Sequence, residues 1–270
     1  MPDGNVITAS TAPRSIEDLL ARGYSVKIGE YLHEGWVAFA GNPVGFVGFA
    51  LACTLLAQAL PLLAPMSGQL LSFAIQVLML AGIAIVTWAH LRNRRTSFGD
   101  FFLDWHTMAQ VVLCTVVGLL FIVVGLFLLV IPGIYLGVAY TFSYMLVVDR
   151  RLGVWQALEG SRRVVGKNWW GVFALILATL AVIFGGVLLG AGALGVPIGL
   201  ALSDFYPAIS LDDLPFDLPE TGQVLNQGML IGLFSGMMVG GGLGVALAGC
   251  MLGAAYADIF GLASERPEAA

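Results

Sequence analysis

Six uncharged, mostly apolar runs alternate with polar stretches along this chain: residues 43–64, 69–91, 108–130, 133–148, 169–191 and 226–252. A helix needs about 20 apolar residues to cross the hydrocarbon core of a bilayer. The fourth run is short, and its helix can start before Pro132. That proline, followed by Gly133, splits an uncharged run long enough for two helices, which predicts a tight hairpin there. The pattern predicts an all-α polytopic membrane bundle: six transmembrane helices plus amphipathic interfacial helices.

The polar stretches have patterns of their own. Residues 1–14 are polar and expected to be disordered. Ser15-Ile16-Glu17-Asp18 reads as a capping box opening a short helix. Within 15–42 a second helix fits residues 25–40, with Ile28, Leu32, Trp36 and Phe39 on one face and Lys27, Glu30 and Glu34 on the other. Residues 153–165 form a basic amphipathic helix. Val154, Leu158, Ser161 and Val165 make its less polar face, and Glu159, Arg163 and Lys167 its wet one. The paired Trp169 and Trp170 then open the fifth run, an arrangement suited to a lipid–water boundary. Phe98–Trp105 is another surface segment, with Phe101, Phe102 and Trp105 set against Asp100 and Asp104. The membrane domain covers 43–263, including an extracytoplasmic loop at about 192–225, and a tail follows at 264–270. The loop contains Pro197, Pro207, Pro215 and Pro219 and is the longest stretch with no predicted structure.

Composition supports lipid as the solvent: the chain is 59% hydrophobic and 11% charged, against about 25% charged in soluble domains. The net charge of -5 gives no reason to expect a nucleic-acid partner. The placement of charge matters more than its sum. With six spans, Arg14, Arg22, Lys27, Arg92, Arg94, Arg95, Arg150, Arg151, Arg162, Arg163, Lys167 and Arg266 all fall on the side of the termini. The other side carries Asp204, Asp212, Asp213, Asp217 and Glu220 and no Lys or Arg. The positive-inside rule then puts both termini in the cytoplasm of a bacterial inner membrane. Met1 to Arg14 lacks the apolar core of a signal peptide.

Candidate chemistry is sparse. Cys53, Cys114 and Cys250 each sit inside an apolar run, without metal-ligand spacing. His33, His90 and His106 are scattered near the cytoplasmic edge, where His90 and His106 with Asp104 could form a metal site or be ordinary interfacial groups. Ser235 has no histidine at membrane depth, so a serine-protease pair is not expected. The intramembrane polar residues, Thr54, Gln58, Gln76, Thr87, Thr115, Ser143, Thr179 and Ser235, can bond helices together or line a path. No catalytic residue, cofactor or metal is expected. Arg150, Arg151, Arg162, Arg163, Lys167, Trp169 and Trp170 are the candidate lipid-headgroup residues, because basic side chains at the surface attract anionic lipid. The same residues also serve as a topology signal and anchor. In the sixth span Gly228, Gly232, Gly236, Gly240 and Gly244 recur every fourth residue and make a groove for close helix packing. The expected partner is the fifth span, with Ala174, Ala178, Gly186 and Gly190, or another chain. Gly249, Gly253 and Gly261 form a second row.

A short internal repeat is visible. Glu34-Gly35, Gly41-Asn42 and Gly45 before one apolar run recur as Glu159-Gly160, Gly166-Lys167-Asn168 and Gly171 before another, with one residue inserted. Both copies lead outward, so the repeat is parallel.

IPGIYL at 131–136, Asp149 at a span end and QALEGSRRVVGKNWWGVF at 156–173 resemble an uncharacterised bacterial six-span family. That family is related to the membrane domain fused to some glycerophosphodiester phosphodiesterases. Gly35-Trp36, Phe39 and Asn42-Pro43 resemble its first repeat. The resemblance implies fold and inner-membrane location. The catalytic barrel is absent, so no activity carries over. The function expected is that of a non-catalytic accessory or scaffold subunit packing against lipids or other membrane subunits. The alternatives are a carrier or binder of lipid or another apolar compound and, more weakly, a membrane enzyme acting on lipid headgroups.

Overall fold

The computed structural model describes residues 14–203, 208–209 and 225–262. The expected disordered start, most of the acidic loop and the tail at 264–270 lie outside the described residues. The fold is an all-α bundle, with six helical segments among the described residues long and apolar enough to cross a membrane. The described chain divides into two compact units, residues 14–179 with 246–262 and residues 180–245.

In the first unit α1 (Ile16–Arg22) is capped by Ser15, whose Oγ accepts from Asp18 N at 3.0 Å. Gly23, at φ +69°, ends it. α2 (Ile28–Gly41) buries Tyr31, Gly35 and Ala38. Its bulky row behaves differently: Leu32 and Trp36 are exposed. The small row goes inward because α2 approaches backbone there; a Cβ on Gly35 would lie 2.8 Å from Met251 N.

α3 (Pro43–Leu63) and α4 (Pro65–Leu91) form a hairpin joined by Ala64 alone. Each begins on a proline, whose fixed φ and missing N–H suit a first helical position. Ser72 Oγ donates to Ala57 O and to Gly68 O, pinning the two arms together. A single 3-10 turn at Phe98–Phe101 folds back onto them. Phe101 is buried and stacks on Phe49 at 4.6 Å, while Phe98 and Phe102 stay exposed.

α5 (Trp105–Leu128) is capped by Asp104, which accepts from Thr107 N and Oγ1. The hairpin after it turns at Leu129, three residues before the predicted site, and α6 (Val130–Ala139) already contains Pro132. Proline in the first turn removes an N–H that has no helical partner anyway, so it starts this helix instead of breaking it. Gly125 and Gly133 let the arms close to near contact. An irregular step at 140–142 leads to α7 (Ser143–Arg150). α8 (Val154–Lys167) and the start of α9 (Trp169–Gly190) follow.

The repeat seen in the sequence has a matching local geometry. α2 and α8 are each 14 residues long. Each ends on an asparagine with nearly the same backbone, Asn42 at φ -148°, ψ 61° and Asn168 at φ -139°, ψ 56°. Asn42 Oδ1 accepts from Gly45 N at 3.1 Å, and Asn168 Oδ1 from Gly171 N at 3.2 Å. One residue thus closes one helix through its backbone N–H and caps the next through its side chain.

The second unit is a helical hairpin. α9 continues through a wider π-type turn at Ala191–Gly195 into α10 (Val196–Ser203). Residues 192–203, expected to be loop, are therefore helical. Pro197 sits near the start of α10, where its missing N–H interrupts little of the helix. Ala208–Ile209 pairs antiparallel with Leu225–Asn226, and α11 (Gln227–Phe260) returns. Gly228, Gly232, Gly236, Gly240 and Gly244 of α11 face Leu202, Gly199, Gly195, Gly190 with Gly186, and Ile183. A Cβ on Gly240 would lie 2.6 Å from Gly190 Cα. Ala174 and Ala178 lie in the other unit. The second row divides: Gly249 and Gly253 meet Ile83 and Thr87 of α4, whereas Gly261, at φ +65°, terminates α11.

Gly236→Leu is predicted to destabilise the protein by at least about 1–3 kcal/mol, the usual range for overpacking. A Cβ there would strike Gly195 backbone, whereas one on Gly192 meets nothing within 4 Å. Thermal unfolding in detergent should show a large loss for Gly236→Leu and little for Gly192→Ala. Equal effects would contradict this packing.

Candidate functional site

The chemically capable side chains of the first unit collect where its chain segments meet: residues 14–42, 92–104, 149–168 and 258–262. Their bonds run between segments. Tyr31 Oη donates to Asp258 Oδ2 at 2.7 Å, tying α2 to the end of α11. Tyr256 Oη donates to Asp149 Oδ2 at 2.9 Å. Arg150 Nη2 donates to Arg14 O and to Phe260 O, both at 2.8 Å, with its guanidinium 5.9 Å from the Phe260 ring centroid. Trp88 Nε1 donates to Gly253 O at 3.0 Å, and Asn168 Nδ2 to Tyr24 O at 3.3 Å. Together these bonds hold the two ends of the described chain to the inner ends of α4, α7 and α9.

Glu34 lies beside this cluster on the inner side of α2. Burial first, and then the Asp258 and Glu30 carboxylates, push its carboxyl above the usual range. His33 and His106 are exposed, and the His90 ring packs over Gly41. Among the described residues no three His, Cys, Asp or Glu side chains come together as a metal site.

α8 carries three of the seven candidate headgroup residues, Arg162, Arg163 and Lys167, and its inner face is more deeply packed than a helix floating on lipid. Ala157, Leu158, Gly160, Ser161, Val164 and Val165 are buried. Ser161 Oγ donates to Ala139 O at 2.7 Å, a bond available because serine lies on the buried row. The outer face is charged. Glu159 accepts from Arg162 through both carboxylate oxygens, each at 2.8 Å, and from Arg163 Nε at 2.7 Å. Those two guanidinium groups hold its carboxyl down to about 2. Two cations on one anion leave surplus positive charge, and exposed Lys167 adds to it.

The expected headgroup set therefore separates. Arg163, Lys167 and Trp170 are exposed together at one end of α8, with Arg162 half-buried behind them. Trp169 is half-buried, stacked between Tyr135 and Phe173, with its indole N–H 3.4 Å from Tyr135 O. Arg151 lies apart, 3.5 Å from Asp104. Arg150 is a correction: its side chain is largely buried and committed to two carbonyls, so it is a clamp and not a headgroup ligand. Tyr31 and Tyr256 were not singled out by the sequence, because partners more than 100 residues apart leave no local pattern; Asp149 stood out only as an acid at a span end.

No family model, curated protein or solved structure matches the chain.

A carboxyl held below its ordinary value stabilises the fold above that value and loses the contribution as pH falls toward the folded-state value. Glu159→Gln is therefore predicted to lower stability near pH 7, by no more than about 1 kcal/mol because the pair is partly exposed. The gap between variant and parent should shrink as pH drops from 4.5 toward 2. Unfolding temperatures measured across that window check it, and a gap that stays constant would contradict it.

Proposed function

We propose that the chain is a non-catalytic, multi-pass protein of the bacterial inner membrane, an accessory or scaffold subunit with both termini in the cytoplasm. The observation that carries this reading is the outward placement of Gln58 and Gln76. Both sit on the α3–α4 hairpin among Leu55, Leu56, Leu70 and Leu71, and both are exposed. Neither has a hydrogen-bond partner among the described residues. An amide facing hydrocarbon lacks the hydrogen bonds that water would supply, and a neighbouring transmembrane helix provides them. This supports a subunit that docks sideways. The inner cluster fits the same role, since its hydroxyl, carboxylate and guanidinium groups join chain segments. The one-sided basic residues support the cytoplasmic placement of the termini. A carrier would need these glutamines inside a lined path, and their exposure does not favour that alternative.

Photo-crosslinking residues placed at positions 58 and 76 in intact membranes test this. They should give one discrete protein adduct, either a second copy or a single other polypeptide, while Leu120 gives none. Gln58→Leu should weaken association through the same face, read as loss of the position-76 adduct. Adducts with lipid alone at both glutamine positions would overturn the subunit reading.

A further inference from the structure

The contacts along α8 set the height at which it crosses the α5–α6 hairpin. Near its start the Trp155 ring meets Phe121 with 6.2 Å between centroids, and a Cβ on Gly118 would lie 3.2 Å from Leu158. Further along, Ser161 bonds Ala139, and just past its end Trp169 bonds Tyr135. α8 thus passes from one arm of the hairpin to the other, meeting α5 at 118–121 and α6 at 135–139. Beyond this crossing only residues 122–134 remain, with the turn at Leu129. At 1.5 Å of rise per residue this leaves about 8–11 Å of hairpin above α8, while the hydrocarbon core is ~30 Å thick.

The outer face of α8 decides where that crossing lies. Arg162 and Arg163 side chains are 42% and 59% exposed, and Lys167 is exposed beside them. Charged side chains exposed at the bilayer centre are strongly disfavoured. Trp170, 74% exposed, belongs at the interface. α8 therefore sits at headgroup level. The tip above it is apolar and bare: Phe127, Leu128, Leu129, Val130 and Ile131 are all exposed.

We propose that α5 and α6 form a wedge confined to the leaflet on the side of the termini, and that the partner of this surface is the anionic lipid of that leaflet. Acyl chains surround the tip, and lipid phosphates meet Arg163 and Lys167. Length and composition would allow both helices to cross, but the position of α8 stops them short. Removing a pair of crossings leaves both termini on the same side, so the charge segregation is unchanged. The proposal does not rest on the accessory-subunit reading.

Full-length protein in mixed phosphatidylcholine–phosphatidylglycerol bilayers tests it, with an environment-sensitive fluorophore on Leu129→Cys or Gly166→Cys. Lipids carrying a quencher at the acyl-chain end should quench position 129 most, and headgroup-labelled lipids should quench position 166 most. Strongest headgroup quenching at 129 would show the tip at a membrane face and overturn the wedge. Strongest deep quenching at 166 would show the charged helix inside the core and overturn it equally. Arg163→Gln and Lys167→Gln should each lower the preference for phosphatidylglycerol about fivefold, the equivalent of ~1 kcal/mol per surface charge. An unchanged preference would overturn the lipid assignment.

Discussion

Charge is expelled from hydrocarbon, and most of this structure follows from that. Few side chains at the centre of the six apolar segments can hydrogen-bond, so the ion pairs and long-range polar contacts are displaced to the segment ends. In the first unit those ends converge, and that is where Tyr31 reaches Asp258, Tyr256 reaches Asp149 and Arg150 reaches two carbonyls. Polar bonds formed there stay close to water when the helices separate. They specify which ends meet, and apolar packing of Phe142, Met145, Leu146 and Phe260 supplies the contact area beneath them.

In the second unit backbone proximity takes over from side-chain bonding. α9 with α10 and α11 approach so closely that a Cβ on either side would overlap the opposite main chain. Apolar side chains gain little by meeting one another in lipid, since acyl chains solvate them equally well. Closer van der Waals contact between main chains is what remains, and glycine alone allows it here. In water each glycine costs roughly 1 kcal/mol of helix stability relative to alanine; every fourth residue of α11 accepts that cost for the close approach.

Hydrophobic length and periodicity made the six apolar segments readable directly, and the Ser15 cap and the basic α8 were readable from local pattern. The departures have physical causes. Pro132 looked like a turn because proline usually ends a helix, yet at the first turn of α6 it begins one. Residues 192–203 looked like loop because glycine and proline are frequent there, yet lipid-buried helices tolerate both when a neighbouring backbone packs against them. α2 showed an apolar face, but composition could not say whether that face pointed inward. It divides: Leu32 and Trp36 are exposed, Ile28 and Phe39 are partly buried, and the small row Gly35–Ala38 packs inward. Of the candidate headgroup residues, Arg163, Lys167 and Trp170 share one exposed edge, while Arg150 turns inward. A run of basic residues shows only that a segment stays near water and leaves the direction of each side chain to tertiary contacts. The partner of the α11 glycine row was half readable: Gly186 and Gly190 lay in the predicted fifth span, while Gly195 and Gly199 were hidden in the supposed loop.

The central proposal is that charge placement sets the way this chain sits in the membrane, and the sequence pattern predicts the basic segments on one side and the acidic residues of 204–220 on the other. Single cysteines at Arg95 and Asp212, treated with a membrane-impermeant maleimide before and after opening the cells, test it most directly. The account predicts that Asp212→Cys reacts in intact cells and Arg95→Cys only once they are opened. Reaction of both from one side would contradict it.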